Sequence, residues 1–453
     1  MTRSPVGPDG AALAPAGPGV LAYQKRLQDS QWWPAEQLLE HQLRELARLV
    51  AHAWRTVPFH GARLAAAGLE PGRLIDLERW QRLAPLTRRD IQQAGGDLES
   101  TAVPAEHGKI LTTRSSGSTG TPVTVRGTIF DAVVGKALML RHCLWHPYDF
   151  AAKFASIRRV HGGTYDYPHG LHLDRWGDSA TFPFATGPSS ILSIGASIAQ
   201  QAEWLLREDP DYLMTFPSNV RFLAAHCRER GIVFPHLEHV TTFGEVLSAE
   251  TREECRRAWD LFVIDVYSAQ EVGIVALQCP THEHYHVQAE TMFVEVVDER
   301  GEPCRPGQTG RVLVTPLNNY AMPVLRYEIG DWAELGGPCP CGRGLTVLKR
   351  ILGRERNALL VAPTGERYWP AFGTRKLPEL APIVQHQFVQ KSLQRIEARL
   401  VTARPLTRRE ERALRAYILA NLPYRFELDF TYFDELPRND AGKFEDFVCE
   451  ATG

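Results

Sequence analysis

The chain has 453 residues, 44% of them apolar, which is too long for one ordinary core and ample for a large domain with a smaller one. Its formal net charge is −2, and Lys and Arg are scattered, so composition gives no basis for binding nucleic acid or an anionic membrane. No apolar run of about eighteen residues and no charged-then-apolar leader is present, so no membrane span or secretion is expected, and the chain reads as cytoplasmic.

Residues 1–20 are rich in Gly, Pro and Ala without periodicity and read as a flexible tail. From Glu36 to Thr56, Leu38, Leu39, Leu43, Leu46, Leu49, Val50 and Trp54 recur at helical spacing, which predicts an amphipathic helix stopping before Val57–Pro58. Strand-like runs at Ile110–Thr113, Tyr212–Phe216, His239–Phe243 and Leu261–Tyr267 alternate with helix-like stretches at Val220–Arg230 and Ala249–Trp259, the pattern of an α/β fold. Met292–Val297 and Gly310–Thr315 read as strands of a β-rich subdomain, with a hairpin turn at Asp298–Gly301. The polar stretch Gly353–Asn357 marks a domain boundary, beyond which a helix at Thr407–Asn421 and a strand at Phe426–Tyr432 suit a small α+β lid. The expected organisation is a tail (1–20), a large α/β domain (21–353) and a mobile C-terminal domain (354–453). Eight cysteines are too few for a disulfide scaffold in a chain this long, and about half of them read as buried thiols.

Ser115, Ser116, Gly117, Ser118, Thr119 and Gly120 form the run S-S-G-S-T-G, led in by Lys109–Ile110–Leu111 and followed by Thr121–Pro122. The run reads as a phosphate loop: Gly117 and Gly120 permit positive φ and close approach of backbone N–H groups to an anion, and the hydroxyls add donors. No lysine follows Gly120, so this is not the G-x-x-x-x-G-K-[ST] loop. In isolation, a Ser/Gly-rich surface turn has the same composition.

Three further segments follow in order: Tyr267–Gly273 (Y-S-A-Q-E-V-G), Tyr327–Asp331 (Y-E-I-G-D) and Pro437–Lys443 (P-R-N-D-A-G-K). With T-T-R-S-S-G-S-T-G-T-P, these resemble the motifs of adenylate-forming enzymes, the acyl-CoA synthetase and ligase superfamily. Val57–His60, Phe216–Ser218, Gly244–Glu245 and Cys339–Arg343 narrow the likeness to phenylacetate-CoA ligases and coenzyme F390 synthetase-like proteins. The resemblance runs from about Leu21 onward and leaves out Pro147–Ser190.

Activating a carboxylate with ATP brings an anionic oxygen to an anionic α-phosphate, and donors and cations aimed at the phosphate oxygens stabilise that transition state. The resemblance implies that Ser115–Gly120 hold the β- and γ-phosphates, Glu271 binds Mg²⁺, Tyr267 stacks on adenine, and Gly244 and Glu245 line the base pocket. Asp331 would accept two hydrogen bonds from the ribose hydroxyls, and Arg354 would contact ribose or phosphate near a hinge. There the sequence departs from the family pattern, with Glu355–Arg356–Asn357 where two aspartates are usual. Lys443 would bridge the substrate carboxylate and the α-phosphate. Read without the motifs, Glu271 and Lys443 are solvated surface groups and Asp331 caps a turn.

Cys279, His286, Cys339 and Cys341 form a Cys-x₆-His and Cys-x-Cys set, with His282 and His284 close enough in sequence to replace His286. Such donors suit a closed structural Zn²⁺ site, although unrelated thiols fit the composition as well. Relatives of phenylacetate-CoA ligase carry a similar set, which favours the metal.

Trp145, His146, His161, Tyr165, Tyr167, Trp176, Phe182 and Phe184 give the unmatched segment an aromatic bias that suits a flat pocket, with Arg158 or Arg159 available to a carboxylate. The expected reaction is ATP-dependent activation of a carboxylic acid, aryl or arylacetic, followed by transfer to a thiol, with coenzyme A as the acceptor the resemblance suggests. A carrier-protein thiol or an amine would use the same intermediate, and a homodimer is one assembly open to such a chain, whose oligomeric state the sequence does not set. The other reading, a non-catalytic nucleotide-binding homologue, is disfavoured by Glu271, Asp331 and Lys443 being present. A zinc hydrolase fails because three cysteines and a histidine leave no open coordination position.

Overall fold

The computed structural model describes residues 17–73, 75–114, 123–160, 163–177, 182–354, 360–361, 367–368, 372, 374–422, 424–436 and 447–451. The chain divides into two compact units, Met1–Ile329 with Ala333–Ile351, and Gly330–Trp332 with Leu352–Gly453.

In chain order, the first unit opens with α1 (Gly17–Ser30), α2 (Ala35–Thr56) and the short helices α3 (His60–Ala66), α4 (Leu77–Gln81) and α5 (Arg88–Ala94). The hairpin β1 (Ile110–Arg114) and β2 (Thr124–Thr128) leads into α6 (Ile129–Trp145), β3 (Phe154–Arg158), β4 (Leu171–Leu173) and β5 (Ser189–Ser193). Helices α7 (Ile198–Glu208), α8 (Pro217–Arg230) and α9 (Ala249–Trp259) then alternate with β6 (Tyr212–Thr215), β7 (His239–Phe243) and β8 (Val263–Ala269). After them come β9 (Gly273–Gln278), β10 (Tyr285–Val287), β11 (Met292–Val297), β12 (Thr309–Pro316), β13 (Tyr327–Leu335) and β14 (Val347–Arg354). The boundary expected at Gly353–Arg354 falls on the end of β14.

Helix α1 begins at Gly17, so the last four residues of the stretch read as a tail are helical. The reason is packing: Val20 and Leu27, seven apart on one face, bury against Val134 and Leu138 of α6. Helix α2 buries Leu46, Leu49, Val50 and Ala53 against Leu64, Trp80 and Phe293, and each fully buried leucine contributes about 2 kcal/mol. It stops at Val57, held extended (φ −116°, ψ 104°) by the proline that follows.

Twelve strands form one sheet in the order β11-β12-β13-β14-β10-β9-β8-β7-β6-β3-β5-β4. Its middle is parallel: β5, β3, β6, β7 and β8 all run the same way. Strand alternation sends Leu213 and Val263 to one face, with Trp204, Val220 and Leu223 of the helices, and Tyr212 and Ile264 to the other, with Leu138 and Tyr148. Helices therefore cover both faces, as a parallel sheet requires. Each crossover helix is punctuated locally. Pro217 opens α8 and Gly231 (φ 64°) closes it, while the Ser248 side chain accepts the Thr251 N–H at the start of α9.

Cys143, Cys227, Cys255, Cys304 and Cys449 are buried free thiols, and burial pushes Cys227 and Cys255 up to about 12. Among the described residues no helix is long and apolar enough to cross a membrane.

The second unit carries the strand pair β15 (Leu360–Val361) and β16 (Arg367–Tyr368), the short helix α10 (Leu377–Leu380), and helix α11 (Arg408–Ala420). Strands β17 (Ile383–Gln390), β18 (Arg395–Thr402), β19 (Glu427–Tyr432) and β20 (Phe447–Cys449) make a four-stranded sheet in the order β19-β18-β17-β20. Helix α11 is capped by Thr407 and Glu410 and lays Leu414 and Ile418 on Phe388, Ile396 and Leu428.

Candidate functional site

In an open parallel sheet, the crevice outside the carboxyl ends of the strands is where ligands bind. Phe216–Ser218 follows β6, Gly244–Glu245 follows β7, and Tyr267 stands near the end of β8 with Glu271 just beyond it. The register sets these ends side by side, Thr215 against Thr242 and Phe243 against Val266. Ring centroids of Phe216 and Phe243 lie 4.9 Å apart at this edge. Gly244 turns the chain at φ 77°, a conformation that costs glycine least. The Ser218 N–H donates to Glu245 Oε2 at 2.9 Å, so this carboxylate sits on the start of α8, where the helix dipole favours it. Tyr267 and Glu271 are both buried. Three of the segments singled out by resemblance, Phe216–Ser218, Gly244–Glu245 and Tyr267–Glu271, thus lie at one edge of the parallel strands.

Glu271 forms an ion pair with Arg88, a residue that no motif pointed to. Arg88 opens α5, and the segment before it lies alongside the start of β13: the Leu86 N–H donates to the Arg326 carbonyl at 2.9 Å and the Glu328 N–H to the Leu86 carbonyl at 2.8 Å. A nearly buried carboxylate that draws a cation is, by donor chemistry, suited to a hard divalent ion.

The loop Ser115–Gly120 lies outside the described residues, but its frame does not. Strands β1 and β2 pair from Ile110↔Thr128 up to Arg114↔Thr124. Arg126 pairs with Glu99 at 2.6 Å, and Asn319 donates to the Arg126 carbonyl at 2.9 Å. The Asp131 carboxylate caps α6 through Thr128 and accepts a further bond from Asn318 at 2.7 Å. Pro437–Lys443 also lies outside the described residues, as does the side chain of Arg354. Asp331, half-buried on β13 after Gly330 (φ 86°), groups with the second unit.

The cysteine–histidine set converges. Ligand atoms of Cys279, His284, His286 and Cys339 all lie within 4.8 Å of one another. The two sulfurs are 3.8 Å apart and His284 Nε2 is 3.0 Å from Cys339 Sγ, against about 3.3–3.8 Å between ligands of a tetrahedral zinc. Cys341 Sγ stands 3.4 Å from His286 Nε2, and His282 Nδ1 is 3.5 Å from Cys279 Sγ. The tightest set therefore has His284 where the sequence reading put Cys341. The cause is local pairing: the Cys279 N–H donates to the His284 carbonyl at 2.8 Å, folding His284 back beside Cys279. Burial holds His286 down to about 3 and His284 below its ordinary value, so both imidazoles are neutral, the form that binds metal.

Among the described residues of the aromatic segment, several belong to the core. Trp145, Trp176, Phe182 and Phe184 are buried core residues, and His146 is buried with Nε2 3.2 Å from the Gln278 carbonyl. Tyr165 and Tyr167 are half-buried, Arg158 and Arg159 are exposed, and His161 lies outside the described residues. A cleft of about 430 Å³ opens elsewhere in the first unit, beside the Leu86 segment, lined by Leu83, Pro85, Thr87, Arg311, Arg326 and Glu328. Its lining includes none of the residues of Phe216–Ser218, Gly244–Glu245 or Tyr267–Glu271.

Solved structures of CoA ligases share this mixed α/β fold. A crystal structure of 2-hydroxyisobutyryl-CoA ligase in complex with 2-HIB-AMP matches with a TM-score of 0.74 at 17% identity, covering 93% of this chain and 90% of that one. The anthranilate CoA ligase AuaEII in complex with anthranoyl-AMP matches with a TM-score of 0.55 at 16% identity, over 74% of this chain and 65% of its own. In sequence, the chain is similar to phenylacetate-coenzyme A ligases. It is 27% identical over 366 residues to the Thermus thermophilus protein, 78% of each chain, and 26% identical over 338 residues to the Escherichia coli one, 72% of this chain and 73% of that. No family model matches the chain.

Proposed function

We propose that this protein is an AMP-forming acid–thiol ligase: it activates a carboxylic acid with ATP to an acyl-adenylate and passes the acyl group to the thiol of coenzyme A. The observation that carries this reading is the meeting of Ser218, Gly244, Glu245, Tyr267 and Glu271 at the carboxyl edge of the parallel strands, in a chain similar to phenylacetate-CoA ligases. Gly244, Glu245 and Tyr267 form the base pocket there, and Asp331 holds the ribose. The loop Ser115–Gly120 grips the β- and γ-phosphates. Glu271 is the ligand for Mg²⁺, which supplies charge neutralisation of the phosphates when bound. Lys443 holds the acid's carboxylate oxygen against the α-phosphorus as pyrophosphate leaves. The names of the relatives favour an arylacetic acid, and a cytoplasmic enzyme fits the chain's composition.

The test is pyrophosphate exchange and hydroxamate capture across aryl, arylacetic, aliphatic and amino acids, repeated with coenzyme A. Exchange with arylacetic acids, and thioester only when coenzyme A is added, is the expected outcome. Absence of exchange with every acid would leave a nucleotide-binding homologue.

Cys279, His284, His286 and Cys339 are the ligands of a closed, structural Zn²⁺ site joining the end of β9 to the loop before β14. Purified protein should carry about one zinc per chain by elemental analysis, and Cys339→Ser should lose most of it. A well-folded protein with near-zero zinc would remove the site.

A further inference from the structure

In this molecule the expected metal ligand already has a cation. The side chain of Glu271 is 6% exposed, and Arg88 Nη1 contacts its Oε1. A carboxylate so buried is not left without a counter-charge, because the desolvation penalty falls on the charged form. Arg88 comes from a different part of the chain, 183 residues away, and its approach is built rather than incidental.

Two residues earlier, Leu86 forms a parallel bridge to Tyr327 through the backbone bonds described above. One residue earlier, Thr87 caps α5: its hydroxyl accepts the Asp90 N–H, and the Asp90 carboxylate accepts from the Thr87 N–H at 2.8 Å. Arg326, which anchors the partner strand, is fixed at φ 54° by Glu295 and by the carbonyls of Gln81 and Leu83. The backbone at Arg88 is therefore held firmly, while its side chain, 25% exposed, has a way out to solvent.

We propose that Arg88 is the resident counter-ion of Glu271, displaced when a divalent cation takes the carboxylate, so that Arg88 sets the cation concentration at which the site loads. The inference rests on the reading of Glu271 as the metal ligand. A guanidinium and a divalent ion repel each other at one buried carboxylate, so the two compete and the protein keeps the acid neutralised throughout the exchange.

The test uses the full chain with ATP present and no acid, following Mn²⁺ binding by electron paramagnetic resonance, beside the Mg²⁺ dependence of pyrophosphate exchange. Arg88→Ala is expected to lower the half-saturating cation concentration by about fivefold to tenfold, the range of a partly buried ion pair. Arg88→Gln, which keeps a hydrogen bond to Glu271 but drops the charge, should give the same shift if the alanine variant folds poorly, and Arg88→Lys should stay near wild type. Glu271→Gln should abolish the tight Mn²⁺ signal, and adding Arg88→Ala to it should change nothing more. An unchanged or weakened cation affinity in both Arg88→Ala and Arg88→Gln overturns the proposal. Wild-type protein without pyrophosphate exchange for any acid, yet with this order of Mn²⁺ affinities, would reject the ligase function and keep the counter-ion. Exchange with a cation midpoint indifferent to Arg88 would do the reverse.

Discussion

Replacing Lys443 by alanine is expected to lower acyl-adenylate formation by roughly a thousandfold while leaving thioester formation from preformed adenylate near the wild-type rate. The asymmetry follows from where charge develops. In the first half-reaction a carboxylate oxygen meets an already anionic α-phosphate, and an ammonium group between them offsets the repulsion as pyrophosphate departs. In the second, a thiol attacks an acyl carbon whose leaving group is AMP, and that lysine has no comparable charge to stabilise. Pyrophosphate exchange measures the first step and thioester yield from synthetic adenylate the second. Equal loss in both would show that Lys443 supports the fold or general binding instead of the adenylation step.

The other large effect is on stability. Arg141 and Glu290 have side chains 1% and 5% exposed, paired at 2.7 Å, with Arg141 also donating to Gln288 at 2.8 Å and to the Leu27 carbonyl, and Ser30 donating to Glu290 at 2.8 Å. This network joins α1, α6 and the turn before β11. Burial pushes the Glu290 carboxyl up, but Arg141 beside it outweighs burial and holds it below its usual range. A carboxylate depressed on folding stabilises the native state above its unfolded value, near 4.5, and that contribution is lost as the pH falls below it. Arg141→Met should cost about 3–5 kcal/mol in guanidinium unfolding at neutral pH, because an uncompensated carboxylate remains buried. The double variant Arg141→Met with Glu290→Met should recover most of that loss, since two apolar groups of similar volume replace the pair. If the single and double variants were equally unstable, shape rather than charge would be what the pair supplies.

Much of the first unit could be read from residues alone where a local signal and the tertiary demand coincide. The run His239–Phe243 and the stretch Ala249–Trp259 are a strand and a helix with the bounds expected, because an apolar run flanked by turns suits a buried parallel strand, and Ser248 and Asp260 mark the helix ends. Met292–Val297 and its turn at Asp298–Gly301 follow the same logic, with Gly301 at φ 85°. Helix α6 escaped notice because it is covered on several sides, with Val134, Ala137, Leu138, Leu140, Arg141 and Trp145 all buried, so its apolar residues draw no single stripe. The aromatic residues of 145–184 misled for a related reason: composition reports that large rings are present, not whether they meet a ligand or one another. Here Trp176 packs on Tyr148, Phe150, Phe154, Phe182 and Tyr212.

At the carboxyl edge, the motifs located residues that the strand register brings together, since each sits at the end of a predicted strand. Two residues could not be found from the motifs, Arg88 at this edge and His284 in the cysteine–histidine cluster. Arg88 reaches Glu271 only through the pairing of Leu86 with Tyr327, a long-range contact with no local signature. His284 was one of three histidines at alternate positions, and choosing among them requires knowing that the chain turns back at Cys279.

The stretch after Cys341 has one more consequence. Arg343 is sandwiched by two indoles, its guanidinium carbon 4.7 Å from the ring of Trp32 and 4.5 Å from that of Trp145. Gln31 accepts from both Arg343 Nε at 2.8 Å and Trp145 Nε1 at 2.9 Å, and its backbone carbonyl accepts the Gly344 N–H at 3.0 Å. A β-carbon at position 344 would come within 1.8 Å of the Trp33 carbonyl oxygen, so only glycine fits. The α1–α2 joint is thereby clasped by the very loop that bears Cys339 and Cys341. If the proposed zinc is bound, protease nicking near Trp32–Pro34 should depend on its loading, and trimming the chain into its first helix should loosen the loop that carries Cys339.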